Sequence, residues 1–142
     1  MQTWAIRHPE FMNGLELPVH VPVNATPDAE QARRWETSID RLLAIRQLED
    51  DWDGQGTPAP PVEVVDSALV LALLLRQEGI EAPTGVVQGV NSDVAFDWQT
   101  SDGKLVEVEV TGPYTADVFI RLPGQPLKHV RIEALSANGA AA

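Results

Sequence analysis

The chain has 142 residues, 44% of them hydrophobic, which suits one domain with a buried core and excludes wholesale disorder. It contains no cysteine, so disulfides, thiolate zinc sites and cysteine nucleophiles are out of reach. Twenty-one acids against ten bases give a formal charge of −11, which repels phosphate backbones and anionic membranes and speaks against direct nucleic-acid binding.

The opening MQTWAIRHPEFMNG lacks an apolar h-region, so no signal peptide is expected, and a reducing cytoplasm fits the missing cysteines. Residues 1–25 read as an extended arm. Within it LELPVHVPV alternates, with Leu15, Leu17, Val19, Val21 and Val23 on one side and Glu16, Pro18, His20 and Pro22 on the other. Two prolines of the same parity remove ladder donors along one edge, which predicts an edge strand or a polyproline-like arm, or a segment that grips a partner.

A first helix is expected from Thr26 as N-cap, with Pro27 in the first turn and Asp28 and Glu30 favouring the dipole. Its apolar stripe is Trp35, Ile39, Leu42, Ile45 and Leu48, broadened by Leu43; Arg33, Arg34, Glu36, Asp40, Arg41 and Arg46 cover the solvated side. The helix should end near Asp50 or Asp51. A second is expected to begin at Pro61. Val65, Ala68, Leu69, Ala72, Leu73 and Leu75 make it apolar almost all round and predict burial on more than one side. The apolar run 68–75 is too short to span a bilayer. Gly79 suits a left-handed C-cap, with Ile80 folding back onto Leu74 or Leu75.

From residue 84 the period changes to two. A short strand is expected within 85–90, then Val94, Phe96 and Trp98, an Asp-Gly turn in SDGK, and Val106, Val108 and Val110 alternating with Glu107 and Glu109. Val118, Ile120 and Leu122 form the next strand, PGQP turns the chain, and Val130, Ile132 and Ala134 form another. The expected architecture is α+β: an N-terminal extended arm (1–25), then a single domain (26–135) in which a two-helix hairpin is followed by a four- to five-stranded antiparallel meander packed against the helices, and a loose tail (136–142).

The segment LEDDWDGQGTPAPP raises the first site question. Numbered from Asp51, it puts carboxylates at positions 1 and 3 (Asp53), Gln55 at 5 and Gly56 at 6, as a calcium loop would. Position 12, which needs a bidentate Glu, is Val62. The simpler reading is a corner: Trp52 plugs the end of the helix pair, Asp53 makes a side-chain-to-backbone turn, and Gly54 and Gly56 take positive φ.

The WDGQG at 52–56, followed by prolines and an apolar helix, resembles a pattern in small uncharacterised bacterial and phage proteins. In these a helix ends in W-D-G-x-G, a Pro/Ser-rich loop opens a second helix, and a strand of the following sheet ends in tryptophan. Trp52, Asp53, Gly54 and Gly56 match the motif, and VAFDW at 94–98 matches the strand. The resemblance covers about residues 40–110. It implies the fold and carries no assigned chemistry.

Glu107 and Glu109 are same-face neighbours, roughly 6.5–7 Å apart along a strand, near the span of paired glycosidase carboxylates. Asp97 and Asp117 could join them, while Arg121 and Arg131 interrupt the acidic field. An acidic binding face is the better reading than catalysis. His8, His20 and His129 lack partners at metal-ligand spacing, and no serine has a nucleophile-elbow context. No cofactor is implied.

The function that fits best is a non-enzymatic cytoplasmic protein that binds another protein bearing a basic surface, as accessory subunit, inhibitor or antitoxin-like neutraliser. Candidate contact residues are Leu17, Val19 and Val21 of the arm, Asp50, Asp51 and Asp53 of the corner, and Glu107 and Glu109 of the sheet. The alternatives are a calcium- or small-ligand-binding module using Asp51, Asp53 and Gln55, an acidic nucleic-acid mimic, and an enzyme using Glu107 and Glu109 or a histidine.

Overall fold

The computed structural model describes residues 2–4, 29–133 and 135–136; the 15–23 arm, the expected helix start at 26–28 and residues 137–142 lie outside that range. Helix α1 spans Ala29–Arg46 and α2 spans Val62–Gln77. A five-stranded antiparallel meander follows: β2 Gly85–Gln88, β3 Val94–Gln99, β4 Leu105–Gly112, β5 Thr115–Arg121 and β6 Lys128–Ile132, in that spatial order. A second, two-stranded ladder pairs β1 (Gln2–Thr3) with β7 (Leu135–Ser136).

Trp35, Ser38, Leu42 and Ile45 give α1 its buried stripe at helical spacing, and Ile39 and Leu48 pack partly against the core. Leu43 does not broaden the stripe. It sits one residue, and so about 100°, round from Leu42, and 46% of it is exposed. The helix also ends sooner than Asp50, because its last turns tighten: Gln47 N–H bonds to Ala44 and Leu48 N–H to Ile45.

Pro61 precedes the first turn of α2 and does not occupy it; its carbonyl accepts from the N–H groups of Val64 and Val65. The buried residues are Val64, Val65, Ser67, Ala68, Leu71, Ala72 and Leu75. With Leu69, Val70 and Leu74 partly buried beside them, they pack α2 against both α1 and the sheet, as expected for a helix buried on more than one side. Leu73 alone of the residues expected inside faces out, 54% exposed. The C-terminus is a Schellman closure. Gly79 has φ +80°, its N–H reaches Arg76, and Ile80 N–H reaches Leu75 across the motif.

The sheet turns one face to the helices. Val86, Val94, Phe96, Trp98, Val106, Val108, Val110, Ala116, Val118, Ile120 and Ile132 are buried there, as period-two alternation predicts. α2 lies across β3 and β4, and α1 lies against β2.

Three buried indoles tie the layers together, each satisfying its N–H on a backbone carbonyl. Trp35 donates to Ile80 at 3.0 Å, Trp98 to Glu81 at 2.8 Å and Trp4 to Ser67 at 2.7 Å. Gln31 adds a bond from the Ala82 N–H at 2.9 Å. The connection from α2 to β2 is thus held from α1 and from β3 at once. The tight turn between β4 and β5 is fixed from α2, because Tyr114 N–H donates to Ser67 Oγ at 3.0 Å.

Candidate functional site

Alternation sends the other residues of β3–β6 to the face away from the helices. Register sets Asp97 opposite Glu107 and Glu109 opposite Asp117. Directly opposed side chains have Cβ atoms about 4.5–5.5 Å apart, and like charges there are destabilising. This face therefore carries two like-charged rungs side by side on β3, β4 and β5.

Among the described residues compensation reaches only one end. Arg131 Nη1 lies 3.4 Å from each carboxylate oxygen of Asp117, and His129 Nε2 lies 2.9 Å from Asp117 Oδ1. The His129 ring stacks on Phe119, with centroids 4.8 Å apart and planes 12° from parallel. Arg121 pairs in register with Leu105, one rung beyond the acids.

Glu109 bears the consequence. Burial first, then a hydrogen bond with Glu107 and the charges of Glu107, Asp93 and Asp117, push its carboxyl from the ordinary 4.5 up to about 7.

Asp97 and one further carboxylate, Asp93, fold over glycines of β2 and its turn. A Cβ placed on Gly85 would lie 2.8 Å from Asp97 Oδ1, and one on Gly89 would lie 2.0 Å from Asp93 Oδ1. These oxygens occupy the space that side chains would fill at 85 and 89, on the same face as Glu107 and Glu109. Both are buried and accept no hydrogen bond among the described residues, and Asp93 as a whole is only 9% exposed. Asp93 was not singled out from sequence. Its signal is a glycine four residues before it across a hairpin, recognisable only once the turn is known.

Paired-carboxylate hydrolysis is poorly served by this arrangement. It needs two carboxyls about 5 Å apart or more, with the substrate between them. Here the register flanks Glu107 with Asp97 and Phe119, and Glu109 with Ala95 and Asp117, on one continuous sheet face.

The corner at 48–61 uses its acids internally. Asp50 Oδ1 accepts from Ala59 N–H at 3.0 Å and Asp51 Oδ1 from Gly56 N–H at 2.6 Å. Asp53 Oδ1 accepts from Gln55 N–H at 2.9 Å and Thr57 N–H at 3.3 Å, and its Oδ2 takes the Thr57 hydroxyl. The Thr57 hydroxyl, then the Gln55 N–H, hold the Asp53 carboxyl below its ordinary value. Gly54 and Gly56 have φ of +74° and +78°, as the corner reading expects, and Asp51 joins them at +65°. Trp52 does not plug the helix pair. It stays half-buried outside the core and its Nε1 reaches the Pro58 carbonyl at 3.4 Å, within its own loop.

Asp50, Asp51, Asp53 and Gln55 belong to the helical layer, whereas Glu107 and Glu109 face the other side of the sheet, so the sequence-expected acids form two separate groups. Leu17, Val19, Val21, His8 and His20 lie outside the described residues. Among the described residues no group of three or more His, Asp or Glu could hold a metal ion, and no helix is long and apolar enough to cross a membrane. Compared with known proteins, the chain matches no family model, no curated sequence and no solved structure.

Proposed function

We propose that the protein acts by binding a partner protein with a basic surface, and that the sheet face bearing Asp97, Glu107, Glu109 and Asp117 is where the cationic side chains dock. The observation that carries this reading is the in-register stacking of carboxylates. Solubility calls for acids spread apart, whereas two like-charged rungs side by side cost stability. Lysine or arginine side chains laid across the rungs would remove that repulsion. Such a surface orients and accelerates encounter; affinity needs an apolar contribution as well, which the reading assigns to Leu17, Val19 and Val21. The role is that of an accessory subunit, inhibitor or antitoxin-like neutraliser in the cytoplasm.

The test is capture of the tagged full chain from its host, with washes at low and high salt. The comparison pairs Glu107→Gln/Glu109→Gln with Glu36→Gln/Glu49→Gln, which makes the same charge change on α1 and the corner. A stoichiometric protein that is retained by the wild type and the α1 pair, lost by the sheet pair and released by salt supports the reading. Equal capture by both pairs, or no captured protein at all, overturns it.

A further inference from the structure

We propose that the groove between α1 and the outer edge of β2 takes up an extended peptide segment as an added antiparallel strand, with a carboxylate side chain of that segment on Arg41. This surface is distinct from the acidic sheet face and has the opposite charge.

Among the described residues β2 ends the five-stranded sheet, since it pairs there with β3 alone. The Val86 carbonyl accepts from Arg41 Nε at 3.4 Å, so it points away from β3. Antiparallel alternation gives the backbone of Gln88 the same outward direction, while Gly89 N–H turns inward to Asp93 O at 2.8 Å. An outward row of this kind is what strand addition uses.

Beside that edge runs a groove of about 260 Å³ lined by Arg34, Thr37, Arg41, Pro83, Thr84 and Val86. Two guanidinium groups here stand against a chain charge of −11. Arg34 is committed to Glu81 at 2.9 Å. Arg41 is not committed to an anion among the described residues: its guanidinium bonds to the Val86 carbonyl and to Gln88 Oε1 at 3.0 Å, both neutral. Exchanging them for a carboxylate gains a charge-assisted bond and frees the Val86 carbonyl for an incoming N–H. The Thr84 hydroxyl accepts from Gln99 N–H at 2.9 Å, which leaves its proton to donate. The indoles of Trp35 and Trp98 hold the connection that leads into β2, so the edge is presented without a large ordering cost.

The probe is a capped peptide of alternating threonine and valine with one central glutamate, titrated into the isotope-labelled full chain and followed by NMR. The amides of Val86 and Gln88 and the Nε–H of Arg41 should shift together. The same peptide with a central lysine should bind about tenfold more weakly. Arg41→Gln, with an otherwise unchanged spectrum, should erase the difference between the two peptides. Equal binding of both peptides to the wild type, or acetate alone moving Arg41 while the two amides stay still, overturns strand addition. Hydrogen exchange on the free protein supplies a further check. Fast exchange at Val86 and Gln88 supports an open edge. Protection there overturns the proposal, in favour of a second copy if it grows with concentration and of the chain's own segment if it does not.

Discussion

The indole N–H of Trp4 donates to the carbonyl of Ser67, 63 positions away, and its ring meets Tyr114 edge-on with centroids 5.9 Å apart. A residue at the start of the chain is thereby part of the core, 4% exposed, wedged where α2 meets the β4–β5 turn.

Trp4→Ala should cost about 3–5 kcal/mol, the range for removing a buried aromatic side chain. Trp4→Phe keeps most of the volume and loses the hydrogen bond, so about 1 kcal/mol is expected. Chemical denaturation of the two variants measures both. A chain beginning at Thr26 lacks Trp4 and β1 and should melt well below the full chain, whatever happens to its binding.

Glu109 makes stability depend on pH in a defined direction. Its carboxyl holds a proton more tightly in the folded protein, where it titrates at about 7, than in the unfolded chain, where the ordinary value is 4.5. The folded state binds more protons between those values, so stability is greatest below the lower one and declines as pH rises through the upper one. Asp53 and Asp102 are held below their ordinary 3.8, and their contribution is lost only in more acid solution, outside this window. Glu109→Gln should flatten the decline. At pH 8 it should stabilise by about 0.5–1 kcal/mol, the scale of a like-charged cross-strand pair. Melting curves across the pH range would contradict this if wild type and variant run parallel.

Gly89 and Asp93 should behave as one unit. Gly89→Ala puts a methyl group where the Asp93 carboxylate now sits, and about 1–3 kcal/mol of destabilisation is expected. Asp93→Ala vacates that space. The double variant should therefore be more stable than the sum of the single effects allows, and additive effects would mean that the two do not touch.

Asp53→Ala should loosen the corner without disturbing the core. The amides of Gln55 and Thr57 lose their acceptor and should exchange faster with solvent, while those of Leu42 and Leu71 keep their protection. Unchanged exchange at Gln55 would show that the glycines alone hold the loop.

The elements legible in sequence are those whose pattern depends on near neighbours. The alternation of Val106, Val108 and Val110 fixes a face, and Gly79 before Ile80 fixes a helix end, because both rest on local geometry. Leu43 and Leu73 misled because hydrophobicity alone does not say which side of a helix the sheet will cover. Trp52 misled because an indole in a loop can satisfy itself on its own carbonyls. The role of Trp4 depends on Ser67 and Tyr114, and that of Asp93 on a glycine across a hairpin; neither contact has a periodic trace. In the same way Glu107 and Glu109 could be named together, but the rungs they make with Asp97 and Asp117 exist only once the register is set.

The meander has a consequence for how the chain finds its fold. Every strand of the five-stranded sheet pairs with its sequence neighbour, so each hairpin closes over a short loop at little entropic cost and can form within microseconds. The ties of Trp35 and Trp4 span 45 and 63 positions and cannot form until helices and sheet have met. In a φ-value series the sheet positions Val108 and Val118 should thus be structured in the transition state while Trp4 and Trp35 are not, which makes the indole ties brakes on unfolding and not aids to folding.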